Sequence, residues 1–548
     1  MPEQAITTRR SFMQALAGTT GVAWAASATV VGSVLVPSQL RADTPAQRAS
    51  TAFNLRRAAA IADRSAPLVR SATNGDEARY PNRMGNFSKG LPHNSVGEVD
   101  SAAYNSLLTA LTTGLPEDFE NISMGSTVRL VDPQAGLAFD LEGIDSHQFA
   151  QVPAPALASA QRADEAVECY WMALLRDVNF SDYGTNSDAL EAAAELSRLT
   201  DFRGPKVGGY VTPNTLFRGF TTGDTVGPYV SQFLLQPFAY GALAVEQRFN
   251  TYLPLGLGGS DYLTDFTGWL AARNGNPLGE HNRMDPTPRF VRNGRDLAAY
   301  VHVDVLFQAY FNACLWLIDN QAPLNAGNPY NNSRTQTGFG TFGAPHFASL
   351  LAEVATRALK AVWYQKWFVH RALRPEEYGG LVHFTASNVN GYPLHPDVLS
   401  SRALVKTLAA NASYFLPQAF PEGCPQHPSY GAGHATVAGA CVTILKAFFD
   451  EEYRIPEPVV PSSDGLSLVA YAGNDSSQIK VGGELNKLAA NIGVGRNHAG
   501  VHWRSDYQES LLLGEAVAIS ILRDQKGCYN EPLAGLTFTK FDGNTITI

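Results

Sequence analysis

The sequence predicts a mainly α-helical protein. Apolar residues recur at helical spacing through the second half of the chain, no alternation of strands with helices is visible, and period-two patterning is confined to the last residues. Hydrophobic residues make up 45% of the 548 and charged residues 17%, so a large core can form and disorder is not expected over most of the chain.

The N-terminus reads as an export signal. Thr8-Arg9-Arg10-Ser11-Phe12-Met13 resembles the twin-arginine signature, an apolar stretch runs to about Val36, and Leu40-Arg41-Ala42 offers a small residue before a cut. Residues 1–42 are therefore expected to be a signal peptide and 43–548 a single large helical domain, exported to the periplasm or secreted. An uncleaved N-terminal anchor is the alternative. No later segment has the ~20 uninterrupted apolar residues of a spanning helix, so no stable membrane span is expected after signal removal.

Short helices and Gly/Pro/Asn-rich loops are expected from 43 to about 160. Helices follow at 161–178 and 187–199, the second with Asn186 and Ser187 as cap candidates. Residues 202–230 are loop-like, 297–317 read as one buried helix, and 320–342 as a long loop or boundary. The motif-bearing part, 345–525, then opens with a helix at 349–374. Leu350, Leu351, Val354, Ala358, Leu359, Val362 and Trp363 lie on its apolar face, and Pro375 is expected to end it. Two more helices are expected at 435–449 and from Gly500 to about Leu522. Segments 536–541 and 545–548 flank Asp542-Gly543-Asn544, a hairpin signal.

The formal charge of −9 leaves no global basic footprint, so no nucleic-acid partner is expected, and any anion site must be a local concentration of Lys and Arg. The five cysteines show no C-x-x-C spacing, which argues against a zinc or thiol-redox motif. Neither an H-E-x-x-H motif nor a paired carboxylate cluster is present, which argues against a metallohydrolase.

Three segments carry chemistry. In Lys366-Trp-Phe-Val-His370-Arg-Ala-Leu-Arg374-Pro375, a continuous helix would put Lys366, His370 and Arg374 on one stripe, a point charge and a planar fork aimed at one oxyanion. In His427-Pro-Ser-Tyr-Gly-Ala-Gly433-His434, glycine precedes a helix whose first N–H groups suit an anion, with His434 poised for acid–base work. In Arg496-Asn-His-Ala-Gly-Val-His502-Trp-Arg-Ser-Asp506, a turn at Ala499-Gly500 would let Arg496 and His502 converge. Asp506, one helical turn on, can hold the His502 imidazole in one tautomer. Taken singly, each segment reads equally as a basic helix end, a glycine turn or a surface His–Asp pair.

In this order the three segments resemble the vanadium-dependent haloperoxidases, relatives within the type 2 phosphatidic acid phosphatase superfamily. The likeness is closer to the algal-type bromoperoxidase branch. Seven residues separate Lys366 from Arg374 as in that branch, where the fungal branch has six; His427 heads a His-Pro-Ser-Tyr run; and Gly227-Pro-Tyr-Val-Ser-Gln232-Phe looks like it too. The resemblance implies two packed four-helix-bundle-like halves with the site between helix bundles. It implies a vanadate cofactor bound directly by His502, with Lys366, Arg374 and Arg496 neutralising its oxygens and Gly433 donating its backbone N–H. It implies that His434 deprotonates incoming hydrogen peroxide, that Lys366 polarises the activated peroxide, that His427 tunes halide oxidation, and that Asp506 supports His502. The product would be hypohalous acid, bromide being the expected halide, which halogenates a small organic acceptor. Relatives tend to form homo-oligomers.

Two departures stand out: Gly431-Ala432-Gly433-His434 lacks the Pro-Ser-Gly-His serine at Ala432, and Gly495 replaces a serine before Arg496. One hydrogen bond to a charged group is worth about 1.5–3 kcal/mol, so vanadate affinity or turnover could fall roughly ten- to a hundredfold. An acid phosphatase acting through a phosphohistidine at His502 is the alternative reading, and a non-catalytic oxyanion-binding protein is a third.

Overall fold

The computed structural model describes residues 44–276 and 279–548. The export signal expected at 1–42 lies outside the described residues. Helices of eight residues or more, in chain order, are α1 (Pro45–Ser65), α2 (Ser101–Thr113), α3 (Ala160–Leu174), α4 (Ser187–Arg198), α5 (Phe266–Arg273), α6 (Gly294–Val303), α7 (Gln308–Asp319), α8 (Ala344–Tyr364), α9 (Pro375–Ala386), α10 (Arg402–Asn411), α11 (Gly433–Phe448), α12 (Val481–His498) and α13 (Arg504–Lys526). Among the described residues, sheet is confined to three antiparallel hairpins: β1 (Phe238–Tyr240) with β2 (Leu243–Val245), β3 (Val459–Pro461) with β4 (Leu468–Ala470), and β5 (Thr537–Thr539) with β6 (Thr545–Thr547). The last is the hairpin that the Asp-Gly-Asn turn signals, with Phe538 opposite Ile546. No single described helix is long and apolar enough to cross a membrane.

Helix α11 is the centre of the motif-bearing half. Its residues from Ala435 to Phe448 are all buried, the mark of a helix enclosed on every side. Helices α8, α12 and α13 pack around it as a four-helix bundle. Glycines set the closest contact: a Cβ on Gly439 would meet the Leu511 carbonyl oxygen at 2.1 Å, and one on Gly514 would meet that of Thr436 at 1.9 Å. Close approach of α11 and α13 ties the glycine-histidine segment to the His502–Asp506 segment. Helix α8 contributes Leu350, Leu351, Val354, Ala358 and Val362 to the core, the face its spacing predicts. Helix α3 packs against α4 and α10 and touches α12, and α6 packs along α12.

Three expectations are corrected. The helix expected at 349–374 stops at Tyr364 and gives way to a π-helical turn, Gln365–His370; Arg371 then adopts φ 41°. Pro375 does not end that helix but begins α9, the first-turn position where its missing N–H costs nothing. Lys366, His370 and Arg374 therefore share no helical stripe. The helix expected at 297–317 is two, α6 and α7, broken around Asp304. The last helix starts at Arg504 rather than Gly500, so His502 precedes it. The turn expected at Ala499-Gly500 is present, with Gly500 at φ 83°.

Candidate active site

His427, Gly433, His434, Arg496 and His502, drawn from two of the three motifs, line one cavity of about 290 Å³. Lys366, Arg374 and Asp506 lie in contact behind its wall, all fully buried. His370 belongs elsewhere: its ring packs edge-on against Tyr430, and burial pushes its pKa down to about 3.

Two of these residues are placed by the same local device. Arg374 immediately precedes α9, and Glu377, in the first turn, accepts its main-chain N–H at 2.8 Å. His502 sits just ahead of α13, and Asp506, in the first turn, accepts the N–H of Trp503 at 3.2 Å. A first-turn acid satisfies an otherwise orphaned donor and suits the helix dipole. Asp506 does more. Its Oδ2 also takes the His502 Nδ1 hydrogen bond at 2.7 Å and accepts from the Ser429 hydroxyl, which fastens the His427–Gly433 loop to the same carboxylate. Gly433 is the first residue of α11, where N–H groups have no intrahelical acceptor. A side chain there would meet the Trp363 ring at 3.1 Å, so glycine keeps the helix end open to the cavity.

The cations are held by carbonyls and imidazoles rather than by carboxylates. Lys366 Nζ donates to the carbonyls of Pro428 and Ser429 at 2.7 and 3.0 Å. Arg374 donates to the Val501 carbonyl at 2.7 Å, the His427 carbonyl at 2.8 Å and His502 Nε2 at 2.9 Å. Arg496 Nη1 reaches the Val301 carbonyl at 2.8 Å, while its Nε is buried without a partner. Burial, and after it the Arg374 cation, pushes Lys366 well below the usual lysine range and Arg496 down to about 10. Burial likewise lowers Arg374. Buried cations side by side are costly without a counter-charge. A bound oxyanion supplies one.

The imidazoles are neutral by the same logic. Burial foremost, then the Arg374 and Lys366 cations, pushes His502 and His427 well below the ordinary histidine range. Burial raises Asp506. His502 therefore donates its Nδ1–H to Asp506 and turns the Nε2 lone pair towards Arg374 and the cavity, the tautomer a metal ligand needs.

His434 has a partner that the sequence did not reveal. Its Nε2 lies 2.9 Å from Asp304 Oδ1, in the break between α6 and α7. Burial lowers the His434 pKa and Asp304 pulls it partly back. The available signal was a lone carboxylate inside an otherwise apolar helical run. His302 and Glu422, which also line the cavity, were missed as well, and Trp363, expected only on the apolar face of its helix, lines it too. Trp363 stacks obliquely on His427 with centroids 4.8 Å apart.

The residues fit vanadate: a neutral imidazole nitrogen, the Arg496 cation and an open helix N-terminus face one cavity, and Lys366 and Arg374 lie buried behind its wall. The departure at Ala432 lies at this point. Ala432 is buried, caps α11 without a side-chain acceptor, and donates its N–H to Ser510 Oγ at 2.8 Å.

Comparisons with known proteins agree with this geometry. A family model described as the VCPO second helical-bundle domain matches residues 346–531. A vanadium-dependent bromoperoxidase of Corallina pilulifera is 36% identical, covering 92% of this chain and 99% of the relative. One from Ascophyllum nodosum is 35% identical over 84% of this chain and 86% of the relative. The solved structure of a second, homohexameric vanadate-dependent bromoperoxidase from Ascophyllum nodosum superposes with a TM-score of 0.87 at 32% identity, covering 92% and 91% of the two chains. Helical fold, motif order and near full-length identity together make this chain a member of the vanadium-dependent bromoperoxidase family.

Proposed function

We propose that the protein uses bound vanadate to oxidise halide, bromide first, with hydrogen peroxide, giving hypohalous acid that halogenates a small organic acceptor. The observation that carries this reading is the neutral His502, with Nε2 free of a proton, against the buried Arg374 guanidinium and within the field of Lys366 and Arg496.

Bound vanadate supplies a Lewis acid that activates hydrogen peroxide towards halide. The chain's own residues do the rest. Arg374, Arg496 and the Gly433 N–H hold oxyanion charge as fixed, preorganised donors. Lys366, behind the wall, adds charge that polarises the bound oxidant. His434, neutral and oriented by Asp304, takes the proton from incoming peroxide. His427, held by Arg374 at 2.9 Å and by Trp363, tunes halide oxidation from the cavity wall. Asp506 keeps His502 in its ligand tautomer.

The proposal extends to the whole chain: residues 1–42 direct export by the twin-arginine route and are then removed, and residues 43–548 act as one domain. The protein assembles as a homo-oligomer, supported by the homohexameric Ascophyllum neighbour.

The test uses metal-stripped mature protein titrated with orthovanadate. Bromination of a dione dye with bromide and peroxide is followed beside hydrolysis of p-nitrophenyl phosphate. Saturable, vanadate-dependent bromination that His502→Ala abolishes is the expected result. Phosphate-ester hydrolysis without bromination would put the protein among the phosphatases instead. Vanadate binding with neither activity would leave a binding protein.

A further inference from the structure

His302 and Glu422 line the same cavity as the oxyanion residues but touch none of Lys366, Arg374 and His502 through the bonds described above. His302, at the end of α6, is fixed on three sides. Its Nδ1 meets the Tyr252 hydroxyl at 2.5 Å, its Nε2 meets Glu422 Oε1 at 2.6 Å, and its ring stacks on Phe420 with centroids 3.7 Å apart. Glu422 is held from its main chain as well, its carbonyl accepting from Lys89 Nζ at 2.6 Å. Yet the Glu422 side chain is 52% exposed while lining the cavity, which puts a braced carboxylate at the opening. Burial pushes this carboxyl up, and the hydrogen bond and charge of His302, with a smaller pull from Lys89, outweigh it, so it lies below the usual carboxylate range.

That anion partly offsets Arg496 and pairs with His302, and its exposed half remains open to a cationic group entering the cavity. Leu306, Leu359, Pro425 and the Trp363 indole add apolar surface to the lining of the same cavity. At about 290 Å³ the space is at the small end for organic ligands and takes one ring. Resting on the halide-oxidising reading, we propose that this mouth is the acceptor subsite and that it takes aromatic molecules bearing an ammonium group. The ammonium pairs with Glu422 and the ring lies along the Trp363 wall. Hypohalous acid formed in the cavity then transfers halogen to a ring carbon. The carbon–halogen bond forms, the C–H bond breaks, and the released proton leaves with hydroxide as water.

The test compares three phenols with one reactive ring: tyramine, 4-ethylphenol and 3-(4-hydroxyphenyl)propanoate. Calorimetry on the full vanadate-loaded protein measures binding without turnover. Tyramine is expected to bind tightest, and Glu422→Gln to cut its advantage over 4-ethylphenol by about fivefold, the scale of a partly exposed ion pair. Bromination should favour tyramine over the propanoate more strongly than reagent hypobromite does. Equal binding of the three phenols, an advantage untouched by Glu422→Gln, or a product ratio matching reagent hypobromite would each overturn the proposal. The product ratio judges the unaltered protein, so a poorly folded variant does not blunt the test. Tribromide formation without any phenol is measured alongside. Its absence would overturn the halide reading and the acceptor role with it, while calorimetry would still report whether the ammonium binds.

Discussion

Arg374 donates from Nη1 to His502 Nε2 across 2.9 Å, and from Nη2 to His427 Nδ1 across 2.9 Å. A guanidinium can only donate, so both imidazoles turn lone pairs towards it, and one planar group sets the orientation of both. Lysine keeps the charge but not the fork. Arg374→Lys is predicted to weaken vanadate binding by about ten- to a hundredfold, the worth of one or two lost charge-assisted bonds. Equilibrium dialysis checks it. An unchanged Kd would mean that charge alone suffices.

Asp304 supports His434, and its loss should be read in a pH profile. His434 must be neutral to take a proton, so the rate falls as pH drops through its pKa. Burial lowers that pKa and Asp304 raises it. In Asp304→Asn the acid limb of kcat/KM should therefore move to lower pH, while kcat falls about ten- to a hundredfold through lost orientation. A fall in kcat with the limb unmoved would contradict the pairing at 2.9 Å.

Ala432 offers a test by gain. A hydroxyl there would add a donor at the helix end that lines the cavity, at a cap position with no side-chain acceptor. Ala432→Ser is predicted to tighten vanadate binding about tenfold, as one hydrogen bond to a charged group would. Calorimetric titration with orthovanadate decides it; equal affinity would show that the missing serine is already compensated.

Glu515 makes a prediction about stability rather than activity. It is 3% exposed on α13 and accepts the Phe541 N–H at 2.8 Å. Burial pushes its pKa up to about 7, against the opposing Phe541 and Lys446 contributions. A carboxyl raised in the folded state stabilises the fold below its unfolded pKa and loses that contribution as pH rises through the folded value. Glu515→Gln should thus gain stability over the parent between pH 5 and pH 8, by on the order of 2–3 kcal/mol. Urea midpoints at the two pH values measure it. A constant difference would contradict the shift.

Much of this was legible in the sequence because it is local. The apolar spacing of α8 and α11, the Asn cap of α4, the Gly500 turn and the terminal hairpin are contained in a few neighbouring residues. Every predicted site residue belongs to a short motif, and the fold brings these motifs to one cavity or its wall. What stayed hidden is non-local. The apolar run through α6 and α7 reads as one helix because its lone carboxylate, Asp304, does not say which distant partner it leaves the helix to meet, and that partner, His434, is 130 residues away. The His302–Glu422 pair spans 120 residues in the same way. Pro375 was misread because a proline that stops one helix fits equally well at the start of the next. The π-helical turn at Lys366 has no composition signal of its own, yet it separates Lys366 from Arg374. The three-residue strands β1 to β4 are too short to show a period.

The central claim is that His502 binds the vanadium itself, with the cations around its oxygens. X-ray absorption at the vanadium edge on vanadate-loaded protein tests this most directly. The account predicts one imidazole nitrogen in the vanadium shell of the parent protein and none in His502→Ala. An all-oxygen shell in the parent would contradict it and leave vanadate as a purely electrostatic guest.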